Sequence, residues 1–112
     1  MTWQTDIAEV GAVFGSIPEV PVYHYWRFGQ TAPWGVWEET ARPVFDADGS
    51  TVETAGLEGY VHLFTKRDAD PLADVITAAM DAAGMTWGFE FSQYEEDTKL
   101  IHIEWRWAWA RS

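Results

Sequence analysis

The order of apolar and polar residues along the chain predicts two amphipathic helices. In each, apolar side chains recur every three or four residues, the period that places them on one face of an α-helix. In residues 2–14 this stripe consists of Trp3, Ile7, Val10 and Phe14. In residues 71–83 it consists of Leu72, Val75, Ile76, Ala79, Met80 and Ala83. Asp70 is predicted to cap the second helix, Pro71 to occupy its first position and Gly84 to end it.

Five other stretches have the short, aromatic and β-branched composition of strands. They span residues 19–28, 34–40, 58–66, 86–94 and 100–110. Successive side chains of a strand point to opposite faces, so His24 and Trp26 are predicted to share one face of the first strand. The same rule predicts that Trp87, Phe89 and Phe91 lie together on one face of the fourth strand.

The order of these elements predicts the fold class. It indicates an α+β domain with a mainly antiparallel five-stranded sheet and both helices packed on one face. Between the second and third strands, Asp48-Gly49 is flanked by short β-prone runs, which predicts a protruding β-hairpin arm in residues 41–57. The 112 residues are expected to form a single domain, residues 1–112, that includes this arm.

The charge balance limits the partners of this domain. Eighteen acidic and seven basic side chains give a formal net charge of −11. This excludes the basic stripe that follows a nucleic-acid backbone and disfavours an anionic membrane surface. No apolar run approaches the ~18 residues of a membrane span, and no signal-peptide pattern opens the chain, so we expect a protein that starts in a cytoplasm. The arm region is strongly acidic, and its candidate functional residues are Arg42, Asp46, Asp48 and Glu53.

The residue pattern offers little catalytic or metal-binding chemistry. The chain contains no cysteine, which excludes disulfides and thiolate sites. The spacing of His24, His62 and His102 does not indicate a metal site, so we expect hydrogen-bonded histidines in a core or an interface. Asp46-Ala-Asp-Gly49 resembles the start of a calcium loop, but Leu57 stands where that loop requires a glutamate. The sequence therefore predicts no catalytic, metal-binding or cofactor-binding residue and no cofactor.

Aromatic residues exceed what two short helices can cover. In an antiparallel sheet the face without helices is normally polar, yet here several strands are apolar or aromatic on both sides. Surplus surface of this kind predicts an interface between subunits. The interface candidates are Trp34, Trp37, Trp105, Trp107, Trp109, Tyr23 and Tyr25. Two other uses stay open: packing at the sheet edges of a monomer and, for the row Trp105-Arg-Trp-Ala-Trp109, stacking of sugar rings.

The order of segments resembles that of the tail-completion, or tail-terminator, proteins of long-tailed bacteriophages. The resemblance covers most of the chain and is a pattern of elements, not a catalytic signature. A strand that opens with Glu58-Gly59 and feeds the long helix is part of it. The segments that carry it are the amino-terminal helix followed by Pro21-Val-Tyr-His, then Pro33-Trp-Gly-Val-Trp-Glu-Glu, the run from Glu58 to Gly84, and the terminal strand Lys99-Leu-Ile-His-Ile-Glu-Trp-Arg-Trp.

This resemblance implies a structural virion protein with no enzymatic activity. Such proteins form a ring, usually of six subunits, that caps the tail tube at the head–tail junction and joins it to the head connector or stopper protein. DNA passes through the ring without specific binding, and assembly takes place in the host cytoplasm. The acidic arm is then expected to line this channel or to contact a neighbouring ring. The alternatives are another neck component, such as a head-completion stopper, and a small carbohydrate-binding domain.

Overall fold

The described part of the chain folds into two helices and a central sheet with an attached hairpin. A computed structural model describes residues 3–27, 29–41, 44–46, 52–54 and 56–110. The helices are α1 (Trp3–Gly15) and α2 (Leu72–Ala82). The strands are β1 (Val22–His24), β2 (Trp34–Ala41), β3 (Val44–Asp46), β4 (Val52–Thr54), β5 (Gly56–Thr65), β6 (Thr86–Glu95) and β7 (Leu100–Ala110). None of the helices among the described residues has the length and apolar character needed to cross a membrane.

The central sheet has the strand order β1-β2-β5-β7-β6. All neighbouring strands pair antiparallel except β1, which runs parallel to β2. The predicted α+β fold with a mainly antiparallel five-stranded sheet is therefore confirmed. β1 and β6 form the two edges of the sheet. The β1 edge strand has three residues, and the β6 edge strand has ten.

The first strand is much shorter than the predicted strand of residues 19–28. The backbone N–H of Tyr25 still donates a hydrogen bond to the carbonyl of Trp37 (2.9 Å), but the φ of Tyr25 is then 68°. A bulky residue rarely adopts a positive φ, and the extended ladder cannot continue through one. Trp26 consequently crosses to the other side of the sheet, so the prediction that it shares a face with His24 is wrong.

Both helices pack on one face of the sheet, which we call the helix face and which includes Trp37, Val61, Trp105 and Trp107. The ring of Phe14 in α1 lies 5.7 Å from that of Trp37 and 5.9 Å from that of Trp107. Full burial of one such apolar side chain contributes roughly 1.5–3 kcal/mol. The main core therefore lies between the helices and this face.

The two ends of α2 follow the sequence signals closely. One carboxylate oxygen of Asp70 accepts a hydrogen bond from the Leu72 backbone N–H (2.9 Å), and the other accepts one from the Thr65 hydroxyl (2.6 Å). The helix begins at Leu72 with Pro71 at the N-cap, so Asp70 and Pro71 each lie one position before the one predicted for them. Gly84, with a φ of 73°, ends the helix as predicted, because glycine adopts this left-handed conformation without strain.

A bulge in β6 changes the predicted faces of its aromatic residues. The register with β7 shifts between Phe89 and Phe91, which places Phe91 opposite Glu104. An extra residue in one strand moves every later side chain to the other face. Trp87 and Phe89 stay on the helix face, whereas the ring of Phe91 packs edge-on at 5.0 Å from that of His102 on the opposite face. The prediction that the three aromatics share one face is therefore wrong.

The predicted arm contains a hairpin with its own two-stranded sheet. β3 and β4 pair antiparallel and lie between β2 and β5 in the sequence. Asp46 lies on β3 and Glu53 on β4. The other two candidate residues of the arm, Arg42 and Asp48, lie outside the described residues.

Candidate functional site

Four of the seven predicted interface residues are core residues of this chain. The exposed fractions are 5% for Trp34, 3% for Trp37, 3% for Trp105 and 0% for Trp107. Three of them lie under the helices, while Trp34 stacks on Phe64 at 4.8 Å on the other face. Nearly all of the surface of these four side chains is already buried inside the chain, so little of it is available for contacts between subunits.

The remaining candidates of that set are accessible to different degrees. Tyr25 is 52% exposed, whereas Tyr23 and Trp109 are half-buried. The guanidinium of Arg27 lies 4.4 Å from the ring centre of Tyr23 and covers it. The helices cover Trp105 and Trp107, so the tryptophan row of β7 does not form a continuous exposed surface on which a sugar could stack.

The other face of the sheet, which we call the loop face, carries a pair of buried histidines. His62 on β5 and His102 on β7 lie on adjacent strands, and their side chains are diagonal neighbours because His62 pairs with Glu104 and His102 with Phe64. Nδ1 of His62 lies 2.8 Å from Nε2 of His102. The two residues are only 1% and 7% exposed, respectively.

Three carboxylates surround this pair, and with it they form what we call the histidine cluster: His62, His102, Glu38, Glu95 and Glu104. Oε1 of Glu104 lies 3.3 Å from Nδ1 of His62. Oε1 of Glu38 lies 3.4 Å from Nε2 of His62, and Oε2 of Glu95 lies 3.1 Å from Nδ1 of His102. Every ring nitrogen of the pair therefore faces the other ring, a carboxylate or both.

Aromatic rings close the histidine cluster from outside. The ring of Trp26 lies 4.5 Å from that of His62 and 6.1 Å from that of His102. Phe64 stacks on His102 at 4.5 Å. Trp26 is itself 42% exposed, so it forms the outer layer between this cluster and solvent. The positive φ of Tyr25 is what turns the chain so that the next residue reaches this position.

Burial sets the protonation of the cluster. Desolvation, followed by the charge of His102, lowers the pKa of His62 to about 4, so its ring is neutral at pH 7. Burial, and then the nearby carboxylates of Glu90 and Glu38, raise the pKa of Glu104. Two imidazoles and a carboxylate that meet in this way can share a proton or coordinate a cation.

The third histidine lies on the helix face, away from the other two. His24 stacks between Tyr25 and Trp37, at 3.8 and 3.9 Å, and its Nε2 is 2.7 Å from Oε1 of Glu39. The hydroxyl of Tyr25 donates a hydrogen bond to the same carboxylate, and this hydrogen bond raises the pKa of Tyr25. Burial raises the pKa of Glu39, but the bonds from Tyr25 and His24 outweigh this, and the pKa is lowered. His24 is therefore a hydrogen-bonded, part-buried histidine.

Sequence reasoning missed the meeting of His62 and His102. Alternation places each on the predicted side of its strand, but only the register between β5 and β7 makes them neighbours. The available signal was that both strands carry a histidine on the face turned away from the helices. The carboxylates of Glu38 and Glu104 follow the same alternation on β2 and β7.

Sequence reasoning also omitted the exposed aromatics of the β6 edge. Trp87 is 37% exposed, Phe89 is 61% exposed and Tyr94 is 54% exposed. At the opposite edge, Tyr25 and Trp26 follow β1 and are 52% and 42% exposed. Both edges of the sheet therefore present large aromatic side chains to solvent.

Comparisons with known proteins give matches among solved structures. A search of protein-family models finds no match for the sequence, and a search of curated proteins finds none either. Among solved structures, the fold is similar to a chain in the virion of a native gene transfer agent particle. The two share 15% sequence identity over 95% of this chain and 91% of that chain, with a TM-score of 0.46.

Proposed function

We propose that this chain is a structural protein of a phage-type virion and forms the ring that terminates the tail. The order of segments that resembles the tail-terminator family supports this proposal. The observation that carries the assembly itself is the exposed aromatic surface at both edges of the central sheet. Among the described residues β6 pairs only with β7, so its outer backbone groups are free to pair with another chain.

A ring needs two different surfaces on each subunit that fit one another. Contact between unlike surfaces passes from subunit to subunit and closes when the rotation between them allows it. The β6 edge, with Trp87 and Phe89, and the β1 edge, with Tyr25 and Trp26, lie at opposite ends of the sheet and are the two unlike surfaces that we propose to meet in the ring. Burial of aromatic side chains at the centre of such a contact supplies most of its binding free energy.

The net charge of −11 suits a ring through which DNA moves. Like charge removes the phosphate attraction that would hold DNA to the wall. Under this proposal the acidic arm lines the channel or contacts the next ring, with Arg42, Asp46, Asp48 and Glu53 as its functional residues. The tail tube protein and the head connector or stopper are the proposed partners.

Electron microscopy of the purified chain, together with sedimentation, tests the proposal directly. We expect closed rings in the native protein and monomers in Phe89→Asp, because a charge at the centre of an aromatic contact is costly to bury. Phe89 is 61% exposed, so the variant keeps its fold. Ala78→Asp, an exposed position on α2, is the charge-matched control and is expected to leave rings intact.

Two outcomes contradict the proposal. One is a native protein that sediments as a monomer at high concentration and shows no rings. The other is a Phe89→Asp variant that still forms rings, which rejects the β6 edge as the contact. Purification with completed tails supports the terminator role, whereas purification only with filled heads assigns the chain to the head-completion stopper instead.

A further inference from the structure

We propose that His62, His102 and Glu104 form a binding site for one divalent transition-metal ion on the loop face. The potential ligand atoms of the three residues all lie within 4.8 Å of one another. Two imidazole nitrogens and one carboxylate oxygen are a common ligand set for Zn²⁺. None of the three ligands is among the residues assigned to the proposed ring.

The geometry needs little change to admit an ion. Nδ1 of His62 lies 2.8 Å from Nε2 of His102 and 3.3 Å from Oε1 of Glu104. Tetrahedral Zn²⁺ with ligands at about 2.0–2.1 Å holds neighbouring ligand atoms about 3.3 Å apart. The oxygen of Glu104 is thus already at the required separation from Nδ1 of His62, and the nitrogens of the two rings must move apart by about 0.5 Å. The third separation, from this oxygen to Nε2 of His102, is at most 4.8 Å.

The outer nitrogens of both histidines show the arrangement that supports metal ligands. Nε2 of His62 faces Glu38 at 3.4 Å, and Nδ1 of His102 faces Glu95 at 3.1 Å. Histidines that bind metals almost always donate this second N–H to a carboxylate or carbonyl, which fixes the tautomer and orients the ring. Here each of the two histidines has such a carboxylate, and the two carboxylates come from different strands.

Counting protons shows why a cation fits between the rings. If each neutral imidazole carries its one proton on the outer nitrogen, toward Glu38 or Glu95, then both inner nitrogens present lone pairs. These lone pairs meet each other and the oxygen of Glu104 inside a buried space. A cation at this point satisfies all three lone pairs together.

The ligand types favour Zn²⁺ over the alkaline-earth ions. Imidazole nitrogen suits Zn²⁺, Co²⁺ and Ni²⁺, whereas Ca²⁺ and Mg²⁺ prefer sites built from oxygen. Three protein ligands leave a fourth position, which a water molecule can take. The ion would link β5 to β7 in the middle of the sheet, under the ring of Trp26.

The test uses the full chain after treatment with a chelator. Zn²⁺ is titrated calorimetrically, and Co²⁺ is added separately to record the visible absorption bands of a tetrahedral site. We expect one Zn²⁺ per chain, visible Co²⁺ bands that Zn²⁺ removes, and no binding of Mg²⁺. We also expect the melting temperature to rise with Zn²⁺, because an ion that binds only the folded chain stabilises it.

Variants assign the ligands. His102→Gln and Glu104→Gln are expected to abolish the Co²⁺ bands, and Glu95→Gln to weaken Zn²⁺ affinity by roughly 10–100-fold while one site per chain remains. His24→Gln is the matched control, because this histidine also pairs with a glutamate but lies on the helix face; it is expected to bind like the native chain. Circular dichroism verifies that each variant is folded.

Three results overturn the proposal. A native chain that takes up neither Zn²⁺ nor Co²⁺ shows that the two rings only share a proton. Binding that survives in folded His102→Gln and Glu104→Gln places the ion elsewhere. Loss of binding in His24→Gln, with retention in the other variants, shows that the ion binds on the helix face and not on the loop face.

Discussion

The two faces of the central sheet are closed by different means. On the helix face, two helices cover apolar side chains, and Trp105 and Trp107 disappear from the surface. On the loop face, the connection between β1 and β2 supplies the cover, chiefly through Trp26, and what lies beneath includes the polar histidine cluster. One face of the sheet is thus closed mainly by apolar burial under the helices, whereas the other combines a smaller apolar cluster with buried, hydrogen-bonded histidines.

This difference explains where the surplus of aromatic residues goes. Counting faces from the sequence suggested more aromatic surface than two helices can cover. In the structure a single helix residue, Phe14, contacts both Trp37 and Trp107, and Trp34 is buried on the loop face against Phe64. The aromatics left for a partner are those at the sheet edges, not those at its centre.

The largest effect is expected for a change at the centre of the helix face. Trp107→Ala removes a side chain that is 0% exposed and is expected to lower the free energy of unfolding by about 3–5 kcal/mol, through lost burial and the cavity left behind. Urea denaturation of the native and variant chains measures this. A loss below about 1 kcal/mol, as typical of surface positions, would show that the helices do not close this face tightly.

The second prediction concerns acid sensitivity of the loop face. The pKa of His62 is about 4 in the folded chain, whereas a histidine in the unfolded chain has its ordinary pKa of 6.5. Between these two pH values the unfolded chain binds more protons than the folded one. The contribution of His62 to the free energy of unfolding is therefore fully present above pH 6.5 and is lost as the pH drops toward 4. A difference of this size corresponds to about 3 kcal/mol.

Urea denaturation at a series of pH values, with a chelator present, checks this prediction. His62→Gln is expected to flatten the dependence between pH 6.5 and 4.5. Four other titratable residues lie in the same cluster. They are kept in both chains, so that the comparison isolates the effect of His62: Glu38, Glu95, Glu104 and His102. The pKa of Glu39 is lowered from 4.5, so protonation of this carboxylate affects stability only at a lower pH. An equal slope in both chains would show that His62 does not cause the acid sensitivity.

Local periodicity was sufficient to predict most of the elements. Apolar stripes predicted both helices, and alternation predicted the last strand with its observed bounds, residues 100–110. These signals lie within one turn of helix or one strand, so no information about distant residues is needed. The end of α2 at Gly84 could also be predicted from local sequence, because it depends only on the backbone conformation of that glycine.

The errors have non-local causes. A strained turn at Tyr25 ends β1, and a bulge moves Phe91 to the loop face; neither has a residue pattern of its own in this chain. The histidine cluster depends on the register of β5 against β7, which is fixed by pairing between distant segments. For that reason spacing along the chain could not bring His62 and His102 together, although alternation placed each on its correct face.

The smallest effect is expected for the cover of the loop face. Trp26→Ala removes ring contacts with His62, Phe64 and His102, but Trp26 is already 42% exposed. We expect a loss of about 1–2 kcal/mol, because only part of the side chain leaves an apolar environment. Trp3→Ala is the control of matched exposure, since Trp3 is 40% exposed but belongs to α1.

The more informative readout of Trp26→Ala is the titration of the histidine beneath it. Burial is the largest cause of the low pKa of His62, so water admitted by this variant is expected to raise that pKa toward 6.5. Imidazole resonances followed by NMR over pH 4–7 report this value directly, and Trp3→Ala is expected to leave it unchanged. If the pKa stays near 4 in Trp26→Ala, the sheet and its neighbouring side chains bury the histidine cluster by themselves, and the loop is not what distinguishes the two faces.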